Sequence, residues 1–359
     1  MSRRRVCLPL AAWPEPDRKA WMAAIMTGSV LRPGGPAERW RPATRRHVMD
    51  GYGNFLFWLR SLDKLCEKAV PADRLTPDHL AGYIEHLKNA DLAPATVENR
   101  LVGLDRAFFA MAPEADRMLL RRAINRLHDP HAGIARKRTR IRDSGELFAL
   151  GFELMRQADD PDQSFLRPIL RPILYRDGLI ISFLAARPLR RCNFAGLLLG
   201  KHLHKIAGEW WIIIPAEETK TKRRIEVPFP EALIDPLQRY LDVHRPALMQ
   251  TTDRNIIWAV HTSPLWISTR TGGGLSPHTM NLRVCEHTRR AFGRHVNMHL
   301  FRDCAATSIA IRDSKHIRIA AAILGHGSFS TTERHYNLAR SLEAATDYHQ
   351  LLKHLLTEA

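Results

Sequence analysis

The first third of the chain carries apolar residues at the spacing of one helix face. In the stretch ATRRHVMDGYGNFLFWLRSL, the apolar residues that share a face are Val48, Tyr52, Phe55, Leu56 and Leu59. The pattern recurs in TPDHLAGYIEHLKNA, APATVENRLVGLDRAFFAMAP and PEADRMLLRRAINRLHD. Thr76 and Pro77 suit the N-cap and the first position of the second of these four helices. The sequence therefore predicts a compact helical domain over residues 41–133.

The pattern changes after residue 144. Long helical periods flank a short segment, EWWIIIPAEETKTKRRIEVPFP, in which the β-prone run 210–214 and the run RIEVP are separated by a polar turn. This segment predicts an antiparallel hairpin. The expected fold class is mainly α with a small antiparallel β-hairpin or sheet, so that 144–359 form an α+β domain. Residues 1–40 contain the breakers WPEPD and RPGGPAERW and are predicted to be irregular.

The excess of positive charge indicates what kind of partner the protein binds. The 359 residues include 54 Lys and Arg against 37 Asp and Glu, a formal net charge of +17. Such an excess favours a polyanion, with DNA or RNA as the first candidate and a membrane surface as the second. No apolar run reaches the ~20 residues that a membrane span needs. The five cysteines are scattered without a CxxC pair, which predicts reduced thiols and a cytoplasmic protein.

A basic run lies between the two predicted domains. The stretch GIARKRTRIRDSG holds the cationic residues Arg136, Lys137, Arg138, Arg140 and Arg142. We interpret residues 134–143 as an interdomain linker. It is either a solvated tether or, given the net charge, a segment that contacts a phosphate backbone.

Four separated stretches carry candidate chemistry. Each holds one or two cationic or nucleophilic side chains: Arg190 in ARPLRRCNFAGL, Lys220 in TKTKRRIEVP, His299 and Arg302 in HLFRDCAAT, and His326 and Tyr336 in LGHGSFSTTERHYNLAR. Taken alone, every one of them has an ordinary structural explanation. The spacing of the third stretch places its histidine and arginine one helical turn apart on one face.

Taken together, the four stretches resemble the tyrosine recombinase (phage integrase) family over about residues 165–345. The order Arg, Lys, His-x-x-Arg, His, Tyr is that family's order, and Lys220 precedes Pro228 by eight residues as in its hairpin signature. Two positions depart from the usual pattern, because Asn193 stands where many members have an acid and Asp303 where histidine is commoner. The resemblance implies a core-binding, DNA-binding domain at 41–133 and a catalytic domain at 144–359.

The resemblance also implies a role for each of six residues. Tyr336 would attack a phosphodiester and hold the DNA as a 3′-phosphotyrosine ester. The other five would act on charge and protons: Arg190 and Arg302 bind the non-bridging oxygens, His299 exchanges the tyrosine proton, Lys220 protonates the departing 5′-oxygen, and His326 hydrogen-bonds the phosphate. This chemistry requires no metal and no nucleotide, so no cofactor is expected. His295 and His299 could pair on a metal by spacing, but no third ligand is evident.

The expected function is that of a site-specific DNA recombinase or integrase. Its expected partners are double-stranded DNA, a homo-oligomer (a tetramer on synapsed sites) formed through a C-terminal helix at 341–359, and accessory DNA-bending or directionality proteins. Two alternatives stay open: a type IB topoisomerase-like enzyme that relaxes DNA, and a non-catalytic DNA-binding protein derived from a recombinase. A basic RNA-binding protein is a more distant reading, since no RRM-like segment is present.

Overall fold

The computed structural model of the protein describes most of both predicted domains. The described residues are 6–129, 137, 139–162, 167–250 and 263–312. Five of the predictions fall outside them, namely those on Arg136, Arg138, His326, Tyr336 and the segment 341–359. The chain divides into two compact units, Met1–Ala135 and Arg136–Ala359, and each has its own hydrophobic core.

The N-terminal unit is helical. Its helices are α1 (Glu15–Ile25), α2 (Pro42–Ser61), α3 (Pro71–Arg74), α4 (Pro77–Asn89), α5 (Pro94–Met111) and α6 (Met118–Leu127). The four predicted helices correspond to α2, α4, α5 and α6, and all five residues of the predicted α2 face are buried. At the start of α4, the Thr76 hydroxyl accepts a hydrogen bond from the backbone N–H of His79 at 3.1 Å, which is the predicted N-cap.

The segment 1–40 is not irregular throughout, because it contains α1. The prediction failed there because Pro14 and Pro16 precede and open the helix, where a proline is tolerated rather than disruptive. Tertiary contacts then hold α1 in place. Trp21 and Asp17 are buried, and the carboxylate of Asp17 binds the guanidinium of Arg74 at 3.0 and 2.7 Å.

The C-terminal unit combines helices with a small sheet. Its helices are α7 (Ser144–Asp159), α8 (Leu170–Ala186), α9 (Arg191–Ala195), α10 (Ile234–Arg239), α11 (Arg245–Gln250), α12 (Pro277–Phe292) and α13 (Leu300–Arg312), with a π-helical turn between α10 and α11. Helix α8 is almost wholly buried and packs closely on α7. The close approach requires glycine, since a Cβ on Gly151 would lie 2.4 Å from the carbonyl oxygen of Gly178.

Within the described residues, the sheet has five short strands in the order β4-β3-β2-β1-β5. They are β1 (Leu198–Leu199), β2 (Leu203–Ile206), β3 (Glu209–Ile214), β4 (Ile225–Pro228) and β5 (Ser263–Pro264). The predicted antiparallel hairpin is confirmed as β3 and β4, with Ile214 opposite Ile225. The sheet as a whole is mixed, because β1 pairs with β2 in parallel. The fold is therefore mainly helical with a small sheet, as predicted.

No helix within the described residues is long and apolar enough to cross a membrane. Most residues of α8 pack into the core of the C-terminal unit.

Candidate active site

Arg190 sits where the chain turns from extended backbone into α9. Its φ and ψ of −63° and 139° place it at the N-cap, and its carbonyl accepts a hydrogen bond from the N–H of Phe194 at 2.9 Å. Phe194 is fully buried and stacks on Trp266, whose indole N–H donates to the Phe194 carbonyl at 2.9 Å. A rigid aromatic contact therefore fixes the backbone from which the half-buried Arg190 side chain extends.

Arg302 lies in the first turn of α13 and is almost fully buried. Its Nη1 donates to the carbonyl of Pro188 at 2.6 Å, although the two residues are 114 positions apart in sequence. Burial, followed by the charge of Arg190, lowers the pKa of Arg302 to about 10, and Asp303 only partly opposes this. The guanidinium stays protonated at neutral pH. The fold therefore places the buried Arg302 where it feels the positive charge of Arg190.

Lys220 lies in the connection between β3 and β4, and its side chain is exposed. The preceding residue, Thr219, is fully buried and holds the connection together. Its hydroxyl accepts from the N–H of Arg223 at 3.0 Å and lies within 3.0 Å of the carbonyl oxygens of Ala216 and Arg223, to which it can donate. The backbone that carries Lys220 is thus ordered although the lysine itself reaches into solvent.

His299 immediately precedes α13 rather than lying within it, so it does not share a helix face with Arg302 as the spacing predicted. The reason is Asn297, whose side-chain and backbone oxygens both accept from the N–H of Leu300, at 2.9 and 2.8 Å. This starts the helix at Leu300 and leaves His299 in the turn before it. The turn still connects the two candidates, because the Arg302 N–H donates to the His299 carbonyl at 3.2 Å.

The surroundings of His299 favour the neutral imidazole. The residue as a whole is exposed, yet the protein that surrounds the ring lowers its pKa through burial. Asp303 acts against this shift, whereas the positive charges of Lys137, Arg302 and Lys220 add to it. A neutral ring can accept a proton at physiological pH. Arg302 and Lys220 thus both act on His299 electrostatically, and Arg190 acts on Arg302.

Comparison with known proteins identifies the family of the chain. The family model described as the phage integrase family matches residues 158–342, which is more than half of the chain. The chain belongs to the phage integrase family. Its function is accordingly that of a recombinase, an enzyme that breaks and rejoins DNA.

Two relatives illustrate how far the likeness extends. The tyrosine recombinase XerD of Chlorobaculum tepidum is 24% identical over 299 residues, which cover 83% of this chain and 86% of that protein. The crystal structure of the XerH site-specific recombinase bound to its difH substrate, a pre-cleavage complex, is 16% identical with a TM-score of 0.54. That match covers 85% of this chain and 79% of the other, and it shows a shared fold.

Asn193, one of the two departures from the usual pattern of the phage integrase family, connects two parts of the candidate site. Its side-chain amide donates to the carbonyl of Glu218 at 3.0 Å, two residues before Lys220. The Glu218 side chain is itself fixed by Lys201 at 2.8 Å and by the buried His202 at 2.9 Å. The sequence shows Asn193 as a departure from the family pattern but does not show its partner, because no local pattern identifies a contact across 25 positions.

The described part of the basic linker lies against the C-terminal unit instead of forming a free tether. Arg140 donates through Nε to the carbonyl of His295 at 2.9 Å, and Arg142 donates to the carbonyl of Phe292 at 3.3 Å. Lys137 pairs with Asp303, the second departure, at 3.3 Å. The guanidinium groups donate to carbonyl oxygens at the end of α12 and just after it, and these hydrogen bonds hold the linker against the C-terminal unit.

Across the described residues, no group of three or more His, Cys, Asp and Glu side chains is placed to hold a metal ion. The His295 and His299 pair noted in the sequence does not lie on one helix, since both residues precede α13.

Proposed function

We propose that this recombinase cleaves DNA by attack of Tyr336 on a phosphodiester, and that Arg190, Lys220, His299, Arg302 and His326 assist the attack. The single observation that carries the proposal is that Arg302, buried and fixed on the Pro188 carbonyl at 2.6 Å, lies in the electrostatic field of Arg190, whose charge adds to the effect of burial in lowering its pKa. Two positive charges held together against their mutual repulsion favour a shared anionic ligand. A phosphate with two non-bridging oxygens matches that pair.

The two arginines would serve the transition state more than the ground state. As the tyrosine oxygen attacks, negative charge grows on the non-bridging oxygens, and preformed donors stabilise it without reorganising. Arg302 is suited to this because its position is fixed by the Pro188 carbonyl before DNA binds. Removal of one such donor in other enzymes slows the reaction by ~10²–10³.

Proton transfer would fall to His299 and Lys220. A neutral His299 can accept the proton that the attacking phenol loses. Lys220, exposed and cationic beside it, can give a proton to the 5′-oxygen that leaves. The assignments of His326 and Tyr336 rest on the order of residues in the family, as both lie outside the described residues.

Other parts of the function are likewise inferred. We infer that the enzyme acts on double-stranded DNA in the cytoplasm, that protomers assemble on synapsed sites through the segment 341–359, and that accessory proteins set the direction of the reaction. A topoisomerase-like enzyme would relax supercoiled DNA without joining two sites. A non-catalytic relative would bind DNA and leave every strand intact.

The decisive experiment is to trap the covalent intermediate. A suicide substrate, carrying the ends of the protein's own genetic element and a nick that lets the cleaved fragment diffuse away, should yield an SDS-resistant adduct. Tyr336→Phe should bind the same DNA and give no adduct. An adduct of normal yield in this variant would overturn the assignment and direct attention to other nucleophiles, starting with His335.

A second experiment separates proton donation by Lys220 from simple charge stabilisation. A bridging 5′-sulfur leaves readily without a proton, because thiols have pKa values near ~8.5. Lys220→Ala should therefore cleave ordinary DNA very slowly and the sulfur substrate nearly as fast as the parent, while Arg190→Ala should be slow on both. If the sulfur substrate instead restored cleavage by Lys222→Ala, the proton donor would be Lys222.

A further inference from the structure

A second cationic surface lies beyond the end of α12. It is a cavity of about 350 Å³ lined by Thr139, Arg140, Arg289, Gly293, Arg294 and His295, which we call the arginine pocket. Three of these six residues are arginines and none is acidic. None of the candidate catalytic residues lines it, so the proposed chemistry leaves the pocket without a role.

The backbone of the arginine pocket is built by a sharp turn. Gly293 ends α12 in the left-handed region with a φ of 71°, and its N–H donates to the Arg289 carbonyl at 2.9 Å. Glycine takes this conformation without strain. The chain therefore folds back beside the last turn of α12. There the carbonyl of His295 accepts a hydrogen bond from Nε of Arg140 at 2.9 Å.

The guanidinium of Arg140 is held with one donor unused. Its Nη2 is buried and has no hydrogen-bond partner among the residues that the structure describes. An unsatisfied buried donor costs about 1–3 kcal/mol. A donor retained at this cost, in a cavity with two further arginines, indicates an acceptor that the described part of the chain does not supply.

The charge of the pocket is not neutralised within the described part of the protein. Arg289 and Arg294 have no ion pair there, whereas the adjacent Arg290 is paired with Glu286 at 2.5 Å. Burial, and then the charges of Arg140 and Arg289, lower the pKa of His295. A helix C-terminus does attract arginines, which explains Arg289 and Arg290 in the last turn. It does not explain Arg140, which comes from a different segment.

We propose that the arginine pocket binds a phosphate of the DNA backbone other than the one that is cleaved. The proposal rests on the proposed function, since it assumes DNA as the substrate. His295 precedes His299 by four residues, so their Cα atoms are at most ~14 Å apart. A phosphate bound there would therefore belong to the same duplex, near the cleavage position. The pocket would thus set the register of the strand on the enzyme.

Salt dependence tests the proposal, because each phosphate that a protein neutralises releases counterions. Binding of the full chain to a short synthetic duplex is measured by fluorescence anisotropy across a range of salt concentrations. Arg289→Gln should make the slope of log affinity against log salt shallower by ~0.9, and Arg294→Gln should do the same. Arg290→Gln is the matched control, since it removes an equal charge from the same turn at a position outside the pocket. Equal slopes for the control and the two pocket variants would overturn the proposal.

A second arm distinguishes DNA from a free anion. Inorganic phosphate is titrated into the parent and into Arg289→Gln while the melting temperature is followed. Stabilisation of the parent alone, together with an unchanged DNA slope in Arg289→Gln, would assign the pocket to a small anion and reject the DNA proposal.

The binding assay is independent of cleavage. Tyr336→Phe should show the same dependence on Arg289 as the parent. Failure to trap a covalent adduct would therefore count against the proposed function, whereas a normal adduct with equal slopes in the pocket and control variants would count against the arginine pocket.

Discussion

Arg74 in the N-terminal unit and Arg302 in the C-terminal unit are both almost completely buried, at 2% and 6% exposure, yet they are held in opposite ways. Arg74 donates to both oxygens of the buried Asp17, which also accepts from the hydroxyl of Tyr52. Arg302 donates to a neutral carbonyl and has Arg190 beside it. One guanidinium is neutralised by its surroundings, and the other is placed next to a like charge.

The pKa values of the two arginines move in opposite directions for this reason. Burial lowers both, but the hydrogen bonds and charge of Asp17 overcome it, so that the pKa of Arg74 is raised. The pKa of Arg302 is lowered to about 10. The C-terminal unit can neutralise a buried arginine, because Arg176 is paired with the buried Asp177 at 2.8 Å. The contrast thus belongs to the site rather than to the unit, and it separates a buried arginine held by a carboxylate from one that lies in the field of a second arginine.

The largest effect that would test this contrast is on stability. Arg74→Gln leaves the Asp17 carboxylate buried without its charge partner, and we expect a loss of about 3–5 kcal/mol in the free energy of unfolding. Arg302→Gln should cost much less, because it also removes the repulsion with Arg190. Urea denaturation of both variants measures the difference, and equal losses would show that the two arginines play the same structural role.

The reverse order is expected for catalysis. Arg302→Gln should slow single-turnover cleavage by ~10²–10³, because a donor to the developing charge is lost. Arg302→Lys keeps the charge without the planar fork and should fall between the parent and Arg302→Gln. Arg74→Gln, assayed at a temperature where it remains folded, should cleave at close to the parent rate. If folded Arg74→Gln were as slow as Arg302→Gln, the distinction between a structural Arg74 and a catalytic Arg302 would be wrong.

A smaller effect is expected at Asn193, which positions the Lys220 connection without reaching the DNA itself. Asn193→Ala removes the hydrogen bond to the Glu218 carbonyl, worth roughly 0.5–1.5 kcal/mol, and should slow cleavage roughly two- to tenfold. If Asn193 acts through Lys220, the bridging-sulfur substrate should restore most of the loss. An equal defect on both substrates would instead indicate a general weakening of the site.

The smallest effect is a shift of the pH profile. A histidine that accepts the tyrosine proton must be neutral, so cleavage should fall as pH drops through the pKa of His299, which lies below its ordinary value. Asp303 raises this pKa and Lys137 lowers it. Asp303→Asn should therefore move the acidic limb to lower pH and Lys137→Ala should move it to higher pH. Shifts in the same direction would contradict the electrostatic explanation.

Local features of the fold could be predicted because they depend on periodicity. The buried face of α2, the N-cap at Thr76 and the β3–β4 hairpin all follow from residues close together in sequence. The same local reasoning failed for α1, since prolines that interrupt a helix interior are compatible with its first turn. It also placed His299 inside a helix that begins one residue later.

The sequence by itself determined the family, because Arg190, Lys220, His299 and Arg302 occur in the order and spacing of that family and can be read along the chain. Only the tertiary structure decided which partner each buried arginine meets. Arg74 meets Asp17 across 57 positions and Arg302 meets Pro188 across 114, and neither partner can be identified from a local pattern. The physical reason is that periodicity reports which side of a segment is buried, whereas the pKa of a buried charge depends on the distant segment that packs against it.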